Sequence, residues 1–541
     1  MKQTTKYLPL VLLILDGWGE APGGPGNAIA MARKPNFDSM IHHFPHTTLE
    51  AAGEAVGMPN GEDGNSEVGH LNLGAGRIVP QSLVRINMSI VDGSFFQIPD
   101  FLKAIEHVRA NHSSLHLLGM VGSGSVHAFN DHLFALLQLA KKNNLDQVYL
   151  HLISDGRDSP PTAGKAIIAR LSAELKTLGL GSIATILGRY YAMDRDLRWE
   201  RTEQAYQALT DIKADHLASA AEVFEKYYAL KLTDEFISPT IVGPNPDKSR
   251  IKDNDAVIFF NFRIDRPRQL TKAFVQAEFE TQAAKPRGFD PYETKYYRRH
   301  SYTTPKSTPF KRQIVLKNLF FVTMVEYEPG LGAAVAFPPL TIDQTLGEVL
   351  SLAGLRQSRI AESEKERFVT YFFDGGKDIR FPREEVLIIP SPSVTTYDQQ
   401  PAMSTPQIVE SLVELLDKQE ADVYIVNFAA PDMVGHTGDL EATVHAVEAV
   451  DEAIGNVYQA ILKLGGTLVV TADHGNAEEI ITPRGEIDTE HSTNPVPLII
   501  VNHTVGLDLH LPLGVLGDVA PTILKLIGLK VPPLMTGSSL I

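Results

Sequence analysis

Residue types that bind metal ions recur at four places where an apolar run or a short polar loop ends. Mixed carboxylate and imidazole sites suit Mn²⁺ or Zn²⁺, and carboxylates with water suit Mn²⁺ or Mg²⁺. A single such aspartate is commonly only a helix cap or a turn residue. One tetrahedral ion needs three or four protein ligands, so a larger set indicates two ions, as in phosphatases. The candidate ligands are Asp16, Asp432, His436, Asp473, His474 and His491.

Ser66 is a candidate nucleophile in the string Gly-Asn-Ser-Glu-Val-Gly-His at 64–70. A serine between a glycine-containing turn and a helical stretch is by default a helix N-cap. The same position is a ready anion site, because free backbone N–H groups and the helix dipole meet a phosphate there. Metal coordination can activate a serine hydroxyl as a nucleophile. The residues alone leave both roles open.

Three groups of arginines follow other apolar runs and indicate an anionic substrate. The planar guanidinium fork binds phosphate and carboxylate through two parallel hydrogen bonds. Two arginines close together in sequence usually lie on a solvent-exposed face. Three groups of arginines in matching positions instead favour a substrate cleft. Arg198 and Arg201 are instead expected on the exposed face of a following helix. The candidate cleft residues are Arg157, Arg189, Arg195, Arg263 and Arg266.

Short apolar runs alternate with helical patterns, which is typical of α/β proteins. We therefore expect a sheet to position these side chains. In open α/β sheets, ligands bind beyond the carboxyl ends of the strands, where polar residues from separate strands converge. Met403–Asp417 and Thr443–Leu464 are predicted helices. The predicted strands are Leu8–Leu15, Leu115–Val121, Val148–Ile153, Ser182–Leu187, Ala256–Phe260, Phe320–Val325, Glu385–Ile389, Asp422–Asn427, Gly466–Thr471 and Leu498–Val501.

Charge and cysteine content exclude several classes of protein. A formal net charge of -16 argues against general nucleic-acid binding, which needs a basic surface to displace counterions. With no cysteine among 541 residues, disulfides, thiolate ligands and a cysteine nucleophile are excluded. Leu8–Leu15 resembles the apolar part of a signal peptide, but a buried parallel strand accounts for it as well. We therefore expect a cytoplasmic protein without a membrane span.

One irregular segment, Gln282–Gln313, mixes lysines and arginines with tyrosines. Basic residues interleaved with aromatic rings could stack on nucleic acid. At this net charge, a solvated insertion loop is the favoured interpretation of the segment.

Six strings resemble the bisphosphoglycerate-independent phosphoglycerate mutases of the alkaline-phosphatase-like superfamily, in family order along nearly the whole chain. They are Asp-Gly-Trp-Gly at 16–19, Gly-Asn-Ser-Glu-Val-Gly-His at 64–70, Asp-Gly-Arg-Asp at 155–158, Tyr-Tyr-Ala-Met-Asp-Arg-Asp at 190–196, Pro-Asp-Met-Val-Gly-His-Thr-Gly at 431–438 and Ala-Asp-His-Gly-Asn at 472–476. The resemblance implies an α/β fold with an alkaline phosphatase-like metal-binding domain at 1–80 and 336–541. Gln81–Val335 would form an inserted α/β transferase domain that binds the substrate. The string Gly122–His127 departs from the family pattern.

The resemblance also implies roles for individual residues. Ser66 would be the phosphoserine nucleophile, Asp158 would move protons on the glycerate hydroxyls, and Lys365 would stabilise the moving phosphoryl group. One Mn²⁺ would be bound by Asp432, His436 and His491. The other would be bound by Asp16, Ser66, Asp473 and His474. The substrate would be held by His127, Arg157, Asp158, Arg189, Arg195, Arg263, Arg266 and Lys365.

The implied activity is the interconversion of 3-phosphoglycerate and 2-phosphoglycerate in glycolysis and gluconeogenesis, with two Mn²⁺ or other divalent ions and no bisphosphoglycerate. These small molecules are the expected partners of a monomer that binds neither nucleic acid nor a membrane. Two other interpretations fit part of the pattern. A plain two-metal phosphohydrolase, or another mutase on the same core, does not predict the arginine groups. A non-enzymatic metal-binding scaffold does not predict an intact Ser66 and ligand set.

Overall fold

Two separate sheets organise the chain, each within its own unit. The computed structural model describes residues 7–284, 308–482, 484–503 and 509–541. The first unit comprises 7–81 and the described residues from 340 onward, and the second comprises 82–284 and 308–339. Each unit has its own hydrophobic core. Residues 285–307, most of the basic and aromatic segment, lie outside the described residues.

Every strand predicted from the sequence is present, with ends that differ by at most two residues. The strands of the described residues are β1 (Leu10–Leu15), β2 (His46–Glu50), β3 (Leu115–Val121), β4 (Val148–Ser154), β5 (Ser182–Gly188), β6 (Asp215–Leu217), β7 (Thr240–Val242), β8 (Ala256–Phe259), β9 (Phe320–Val325), β10 (Ala334–Phe337), β11 (Gln357–Glu362), β12 (Glu384–Ile389), β13 (Val423–Phe428), β14 (Thr467–Thr471), β15 (Val496–Val501) and β16 (Gly514–Val515).

Both predicted helices are also present, as α15 and α17. The α-helices of the described residues are α1 (Ala28–Met31), α2 (Pro35–His43), α3 (Ser66–Ala75), α4 (Ser82–Asp92), α5 (Pro99–Asn111), α6 (Asn130–Lys142), α7 (Gly164–Leu178), α8 (Arg189–Ala192), α9 (Trp199–Thr210), α10 (Ala220–Ala229), α11 (Pro246–Ser249), α12 (Arg268–Val275), α13 (Phe279–Gln282), α14 (Leu346–Leu352), α15 (Thr405–Asp417), α16 (Ala430–Gly435), α17 (Leu440–Leu464) and α18 (Val519–Leu526).

Helix α17 illustrates how local sequence sets these elements. The Asp439 carboxylate accepts a hydrogen bond from the Ala442 amide and caps the first turn. Gly465 ends the helix at a φ of +64°, which favours glycine. Apolar side chains three or four positions apart form one buried face, as expected for an amphipathic helix. They are Ala446, Val450, Ile454, Val457 and Ile461.

The sheet of the first unit has the strand order β12-β11-β13-β1-β14-β15-β2-β16. The strands from β12 to β14 are parallel, whereas β15 runs antiparallel to both β14 and β2. All six residues of β1 are buried, and Leu12 pairs with Ile425 on one side and Val469 on the other. A parallel strand with neighbours on both sides explains the continuous apolar run. The carboxyl ends of β13, β1 and β14 therefore lie side by side.

The sheet of the second unit has the order β10-β9-β8-β3-β4-β5-β7-β6. The strands from β10 to β5 are parallel, and β7 runs antiparallel to β5. The three predicted arginine groups follow β4, β5 and β8, and His127 follows β3. Because β8, β3, β4 and β5 are neighbours, these residues follow four adjacent carboxyl ends.

The expectation that Gln282–Gln313 is a solvated loop is wrong at Arg312. Its side chain is buried and forms a salt bridge of 3.2 Å with Glu280. The guanidinium also donates hydrogen bonds to the backbone carbonyls of Ala273 and Ala277. A carboxylate and two carbonyls offset the loss of hydration, which is what allows an arginine to be buried.

Candidate active site

Three buried side chains meet at the carboxyl ends of β1 and β14. Asp16 follows β1, and Asp473 and His474 follow β14. His474 Nε2 lies 3.5 Å from Asp16 Oδ1 and 3.5 Å from Asp473 Oδ2. Because one ligand atom of each residue lies within 4.8 Å of the others, a single cation can contact all three. Their oxygen and imidazole donors suit Mn²⁺ and related divalent ions.

A second group of possible ligands adjoins the first. Asp432 lies on α16, after β13, and His436 directly follows this helix. His436 Nε2 and His491 Nε2 lie 3.3 Å and 3.4 Å from Asp432 Oδ1. Asp432 is buried, whereas both histidines border an open cleft of about 520 Å³. His474 Nε2 is 3.9 Å from Asp432 Oδ1, so the two groups are neighbours.

Ser66 is the first residue of α3 and not its cap. The cap is Asn65, whose side chain accepts a hydrogen bond from the Val68 amide at 3.1 Å. The Ser66 side chain is therefore available for other contacts. Its Oγ lies 2.9 Å from His474 Nε2 and donates to Asp16 Oδ1 at 3.3 Å. The serine hydroxyl thus lies within the first group of possible ligands.

Lys365 links both groups of possible ligands to the serine. It ends a short 3₁₀ turn, Ser363–Lys365, that directly follows β11. Its Nζ donates to Asp16 Oδ1 at 2.6 Å, to Asp432 Oδ2 at 2.7 Å and to Ser66 Oγ at 2.8 Å. Burial lowers the pKa of Lys365, but the surrounding aspartates outweigh burial and hold this pKa above its ordinary value. The ammonium group therefore remains charged inside the cluster.

Opposite charges at close range also shift the neighbouring groups. Burial alone would raise the pKa of Asp432, but Lys365 holds it well below its ordinary value. Burial disfavours the charged form of His474, but the carboxylate of Asp473 and other nearby aspartates raise its pKa to about 10. The excess of carboxylates over cations makes this region attractive to added positive charge.

Two supporting residues were not identified from the sequence. His70 Nδ1 lies 3.1 Å from Asp473 Oδ2. Asn427 Nδ2 donates to Asp16 Oδ2 at 2.6 Å and lies 3.1 Å from His70 Nε2. Side chains that hold metal ligands in place are common in metal sites. His70 was visible in the string at 64–70, but nothing in the sequence marks Asn427, which lies within β13.

In the second unit, Arg189 is the centre of a buried polar cluster. Its Nη1 donates to Asp155 Oδ1 and to Asp158 Oδ2, each at 2.5 Å. Its Nη2 donates to His127 Nε2 at 3.0 Å. Burial and the Arg189 charge lower the pKa of His127 to about 4, so this ring is neutral at pH 7. Asp155 was not predicted as a site residue, although it precedes Arg157 in the same string.

The other predicted arginines of this unit are more exposed. Arg195 Nη1 donates to Asp265 Oδ2 at 2.7 Å, and Arg263 Nε lies 3.4 Å from Asp265 Oδ1. Arg266 donates to a backbone carbonyl at 3.2 Å. Arg157 Nη2 lies 3.5 Å from a Glu235 carboxylate oxygen. Arg195, Arg263 and His127 thus all lie within 4.0 Å of Asp265, a residue that the sequence analysis did not single out.

Arg198 and Arg201 do not lie on an exposed helix face as predicted. Both guanidinium groups reach the buried carboxylate of Asp194, at 3.1 Å and 3.4 Å. The Arg201 guanidinium also stacks 3.6 Å from the centroid of the Tyr190 ring. The prediction was wrong because a buried aspartate at the start of this segment attracts both cations. They reinforce the loop that carries Arg195.

The string Gly122–His127, which departs from the family pattern, forms a turn around Ser159. The backbone amides of Ser123 and Gly124 donate to Ser159 Oγ at 2.8 Å and 3.3 Å. A Cβ at Gly124 would lie closer than 3.0 Å to the backbone oxygen of Asp158. Glycine is therefore required for this close approach, which leads the chain to His127.

Comparisons with known proteins identify the family. Residues 8–531 match the Metalloenzyme superfamily. A 2,3-bisphosphoglycerate-independent phosphoglycerate mutase from Chloroflexus aurantiacus is 47% identical over 545 residues, which cover 99% of each chain. Its counterpart from Moorella thermoacetica is 46% identical over 535 residues, which cover 98% of each chain. Phosphoglycerate mutase from Leishmania mexicana, solved at low cobalt concentration, is 28% identical, with a TM-score of 0.64 over 99% of this chain and 98% of that one.

The chain belongs to the bisphosphoglycerate-independent phosphoglycerate mutases. The family resemblance and the α/β fold class inferred from the sequence are thereby confirmed. Membership of this mutase family makes the chain an enzyme, a metal-dependent isomerase. Among its described residues, no helix is long and apolar enough to cross a membrane.

Proposed function

We propose that this chain interconverts 3-phosphoglycerate and 2-phosphoglycerate through a phosphoserine at Ser66. The position of the Ser66 hydroxyl carries the proposal. Its Oγ lies within 3.3 Å of atoms of Asp16, His474 and Lys365. A serine hydroxyl is a weak nucleophile unless its surroundings activate it. Relatives that bear the name of this activity match almost the entire chain.

The two groups of carboxylates and histidines fit two Mn²⁺ ions or similar divalent ions. Within each group the possible ligand atoms lie within 4.8 Å of one another, and none is a thiolate. When bound, the ions would neutralise negative charge that develops on the transferred phosphoryl group. One ion would be held by Asp432, His436 and His491. The other would be held by Asp16, Ser66, Asp473 and His474.

The chemistry then consists of two phosphoryl transfers. Ser66 Oγ attacks the phosphorus of 3-phosphoglycerate, and the bond from phosphorus to the C3 oxygen of glycerate breaks. The C2 hydroxyl of the same glycerate then attacks the phosphoserine, and the bond from phosphorus to Ser66 Oγ breaks, which returns Ser66 to its starting state. Asp158 protonates the departing C3 oxygen and accepts the proton of the C2 hydroxyl. Lys365, whose Nζ lies 2.8 Å from Ser66 Oγ, stabilises the phosphoryl group during both transfers.

The arginine-rich cluster of the second unit is the proposed glycerate site. Guanidinium forks suit the glycerate carboxylate, and retained glycerate distinguishes a mutase from a phosphatase. We assign this role to the domain Gln81–Val335, and phosphoryl chemistry to the domain formed by 1–80 and 336–541. The holding residues would be His127, Arg157, Asp158, Arg189, Arg195, Arg263 and Arg266.

The enzyme would act as a cytoplasmic monomer without added bisphosphoglycerate. Both ligand groups and the arginine cluster are supplied by one chain, so the proposal needs no second copy. Gel filtration of the active enzyme would show the mass of a single chain. Elution of all activity at twice that mass would contradict the monomer.

The decisive experiment traps the intermediate. Protein mixed with Mn²⁺ and 3-phosphoglycerate is quenched, digested and examined by mass spectrometry, while turnover is followed with enolase as the coupling enzyme. We expect one phosphoryl group on the peptide that contains Ser66, together with formation of 2-phosphoglycerate. Turnover with a phosphoryl group on another residue would contradict the Ser66 route. Release of inorganic phosphate without 2-phosphoglycerate would indicate a phosphohydrolase instead.

A further inference from the structure

Glu478 is a buried carboxylate, 3% exposed, whose two oxygens both accept hydrogen bonds. Its Oε2 accepts from the backbone amides of Gly19, at 3.0 Å, and Asn476, at 2.9 Å. Its Oε1 accepts from Asn494 Nδ2 at 3.0 Å and from the hydroxyl of Ser492. Four donors fill the principal acceptor positions of one carboxylate. Glu478 is therefore not poised to act as a further metal ligand.

The four donors belong to the three segments that supply most of the proposed metal ligands. Gly19 lies three residues after Asp16, in the turn that follows β1. Asn476 lies two residues after His474, in the turn that follows β14. Ser492 and Asn494 lie in the segment that carries His491. Hydrogen bonds to a single side chain thus join three ligand-bearing segments, one of which lies more than 450 residues from the other two in sequence.

The segment that carries Asp432 and His436 is joined indirectly. Asn476 Nδ2 donates to Asp432 Oδ1 at 2.9 Å. The Glu478 carboxylate binds the backbone amide of the same Asn476, so it fixes the residue that contacts Asp432. Both proposed metal positions therefore depend on this carboxylate.

Two glycines give independent support, because the Glu478 carboxylate occupies the space of their missing side chains. A Cβ at Gly19 would overlap the Glu478 carboxylate. A Cβ at Gly475 would overlap both Glu478 Oε1 and Ser492 Oγ. The backbone of two ligand-bearing turns thus approaches the carboxylate as closely as the polypeptide permits. Such an approach fixes the turns in position as well as satisfying their amides.

We propose that Glu478 is a positioning residue that sets the relative placement of the two metal-ligand groups and thereby the affinity for the metal ions. The inference rests on the proposed two-metal site. Outer residues that orient metal ligands typically change metal affinity or activity by about 10- to 100-fold when they are altered. Glu478 holds backbone and side-chain donors on three such segments, so an effect of this size is expected.

The test compares Glu478→Gln with Glu486→Gln. The first variant keeps the size of the side chain but places an amide N–H₂ group against donors that need an acceptor. The second removes the same charge from an exposed position on the same connection between β14 and β15. Metal content and the dissociation constant for Mn²⁺ are measured by equilibrium dialysis of the full-length apoprotein. Unfolding temperatures are recorded with and without Mn²⁺.

We expect wild type and Glu486→Gln to bind two Mn²⁺ with equal affinity. Glu478→Gln should bind at least tenfold more weakly, gain less thermal stability from Mn²⁺, and recover turnover when Mn²⁺ is raised. An unchanged dissociation constant, with only a lower unfolding temperature of the apoprotein, would mean a purely structural role and overturn the inference. Wild type that binds no metal would overturn the proposed function itself, so the two failures are distinguishable.

A milder variant keeps the inference testable if Glu478→Gln does not fold. Asn494→Ala removes one of the four donors at a half-buried position. It should weaken Mn²⁺ binding several-fold, in the same direction and by less than Glu478→Gln. Wild-type Mn²⁺ affinity in a folded Asn494→Ala protein would overturn the inference.

Discussion

The two units carry polar clusters that differ in charge and in exposure. In the first unit, Asp16, Asp432 and Asp473 surround one lysine, and all four side chains are at most 4% exposed. In the second unit, Arg189 is 2% exposed, but the Arg263 side chain is 50% exposed. The first cluster therefore has fixed geometry and attracts cations. The second has one fixed arginine and several that can adjust to an anion.

Under the proposed function, the rigid cluster would serve phosphoryl transfer and the adjustable arginines would serve substrate binding. Stabilisation of charge in a transition state requires groups whose positions are set before the reaction begins. A substrate that must present two different hydroxyls in turn cannot be held by equally rigid contacts throughout. Carboxylates such as Asp265 keep the exposed arginines near the cluster while leaving them free to exchange partners.

The largest effect should come from the rigid cluster. Ser66→Ala removes the proposed nucleophile, so turnover should fall by about a thousandfold or more while the fold persists. Steady-state assays with circular dichroism as a check on folding provide the measurement. Ser39→Ala, an exposed serine on α2, serves as the control and should retain wild-type turnover. Near-normal turnover of folded Ser66→Ala would remove Ser66 from the phosphoryl route.

The next largest effect should come from the buried arginine of the second unit. Arg189→Ala leaves the Asp155 carboxylate buried without its partner. Breaking such a pair lowers the stability of the fold by about 3–5 kcal/mol. The change also removes the donor that holds Asp158 and His127. Because a misplacement of about 1 Å can cost roughly a hundredfold in rate, kcat/KM should fall by that factor or more. Arg170→Ala, on the exposed side of α7, should behave as wild type. Comparable losses in both variants would mean that the cluster around Arg189 is not a substrate site.

A smaller effect is expected at the half-buried Arg266. A charge-assisted contact contributes about 1.5–3 kcal/mol, so Arg266→Ala should reduce kcat/KM by roughly 10- to 100-fold. The loss should appear chiefly as a higher KM, because the proposed catalytic cluster of the first unit is unaltered. The same Arg170→Ala control applies. A loss larger than that of Arg189→Ala would reverse the proposed order of rigid and adjustable contacts.

The smallest expected effect is a change in stability with pH, which should have opposite signs in the two units. In the second unit, burial lowers the pKa of His132 to about 3. Its stabilising contribution is complete above the unfolded value near 6.5 and is lost as pH falls towards 3. In the first unit, burial raises the pKa of Glu362 to about 7. Its contribution is complete below the unfolded value near 4.5 and is lost as pH rises towards 7.

Hydrogen exchange can test this contrast between the units. On going from pH 7 to pH 5, the opening free energy should fall for β3 of the second unit, against which the helix α6 with His132 packs. It should rise for β11 of the first unit, which carries Glu362. Exchange rates must be corrected for the intrinsic effect of pH. In His132→Gln the change at β3 should become smaller, because one titrating group is removed. A shift of both strands in the same direction would contradict the assigned pKa directions.

The sequence by itself determined the fold class, most strand positions and the family. Continuous apolar runs such as Leu10–Leu15 predict buried parallel strands because both faces of such strands are covered. It did not predict β11, whose string Gln-Ser-Arg-Ile-Ala-Glu looks like a surface segment. That strand is buried because Arg359 pairs with Asp374 at 2.9 Å, a partner that only the folded chain supplies.

For the candidate site, the sequence determined which residue types follow strand ends, because that edge of an α/β sheet is where ligands collect. The tertiary structure alone decided the contacts among them. Asn65, rather than Ser66, caps α3. Asp194 forms salt bridges with Arg198 and Arg201. Glu478 was unmarked because one of the residues it joins, Gly19, lies 459 positions away in the sequence. Hydrogen-bond partners are determined by distance in space, and the spacing of residues along the sequence does not reveal that distance.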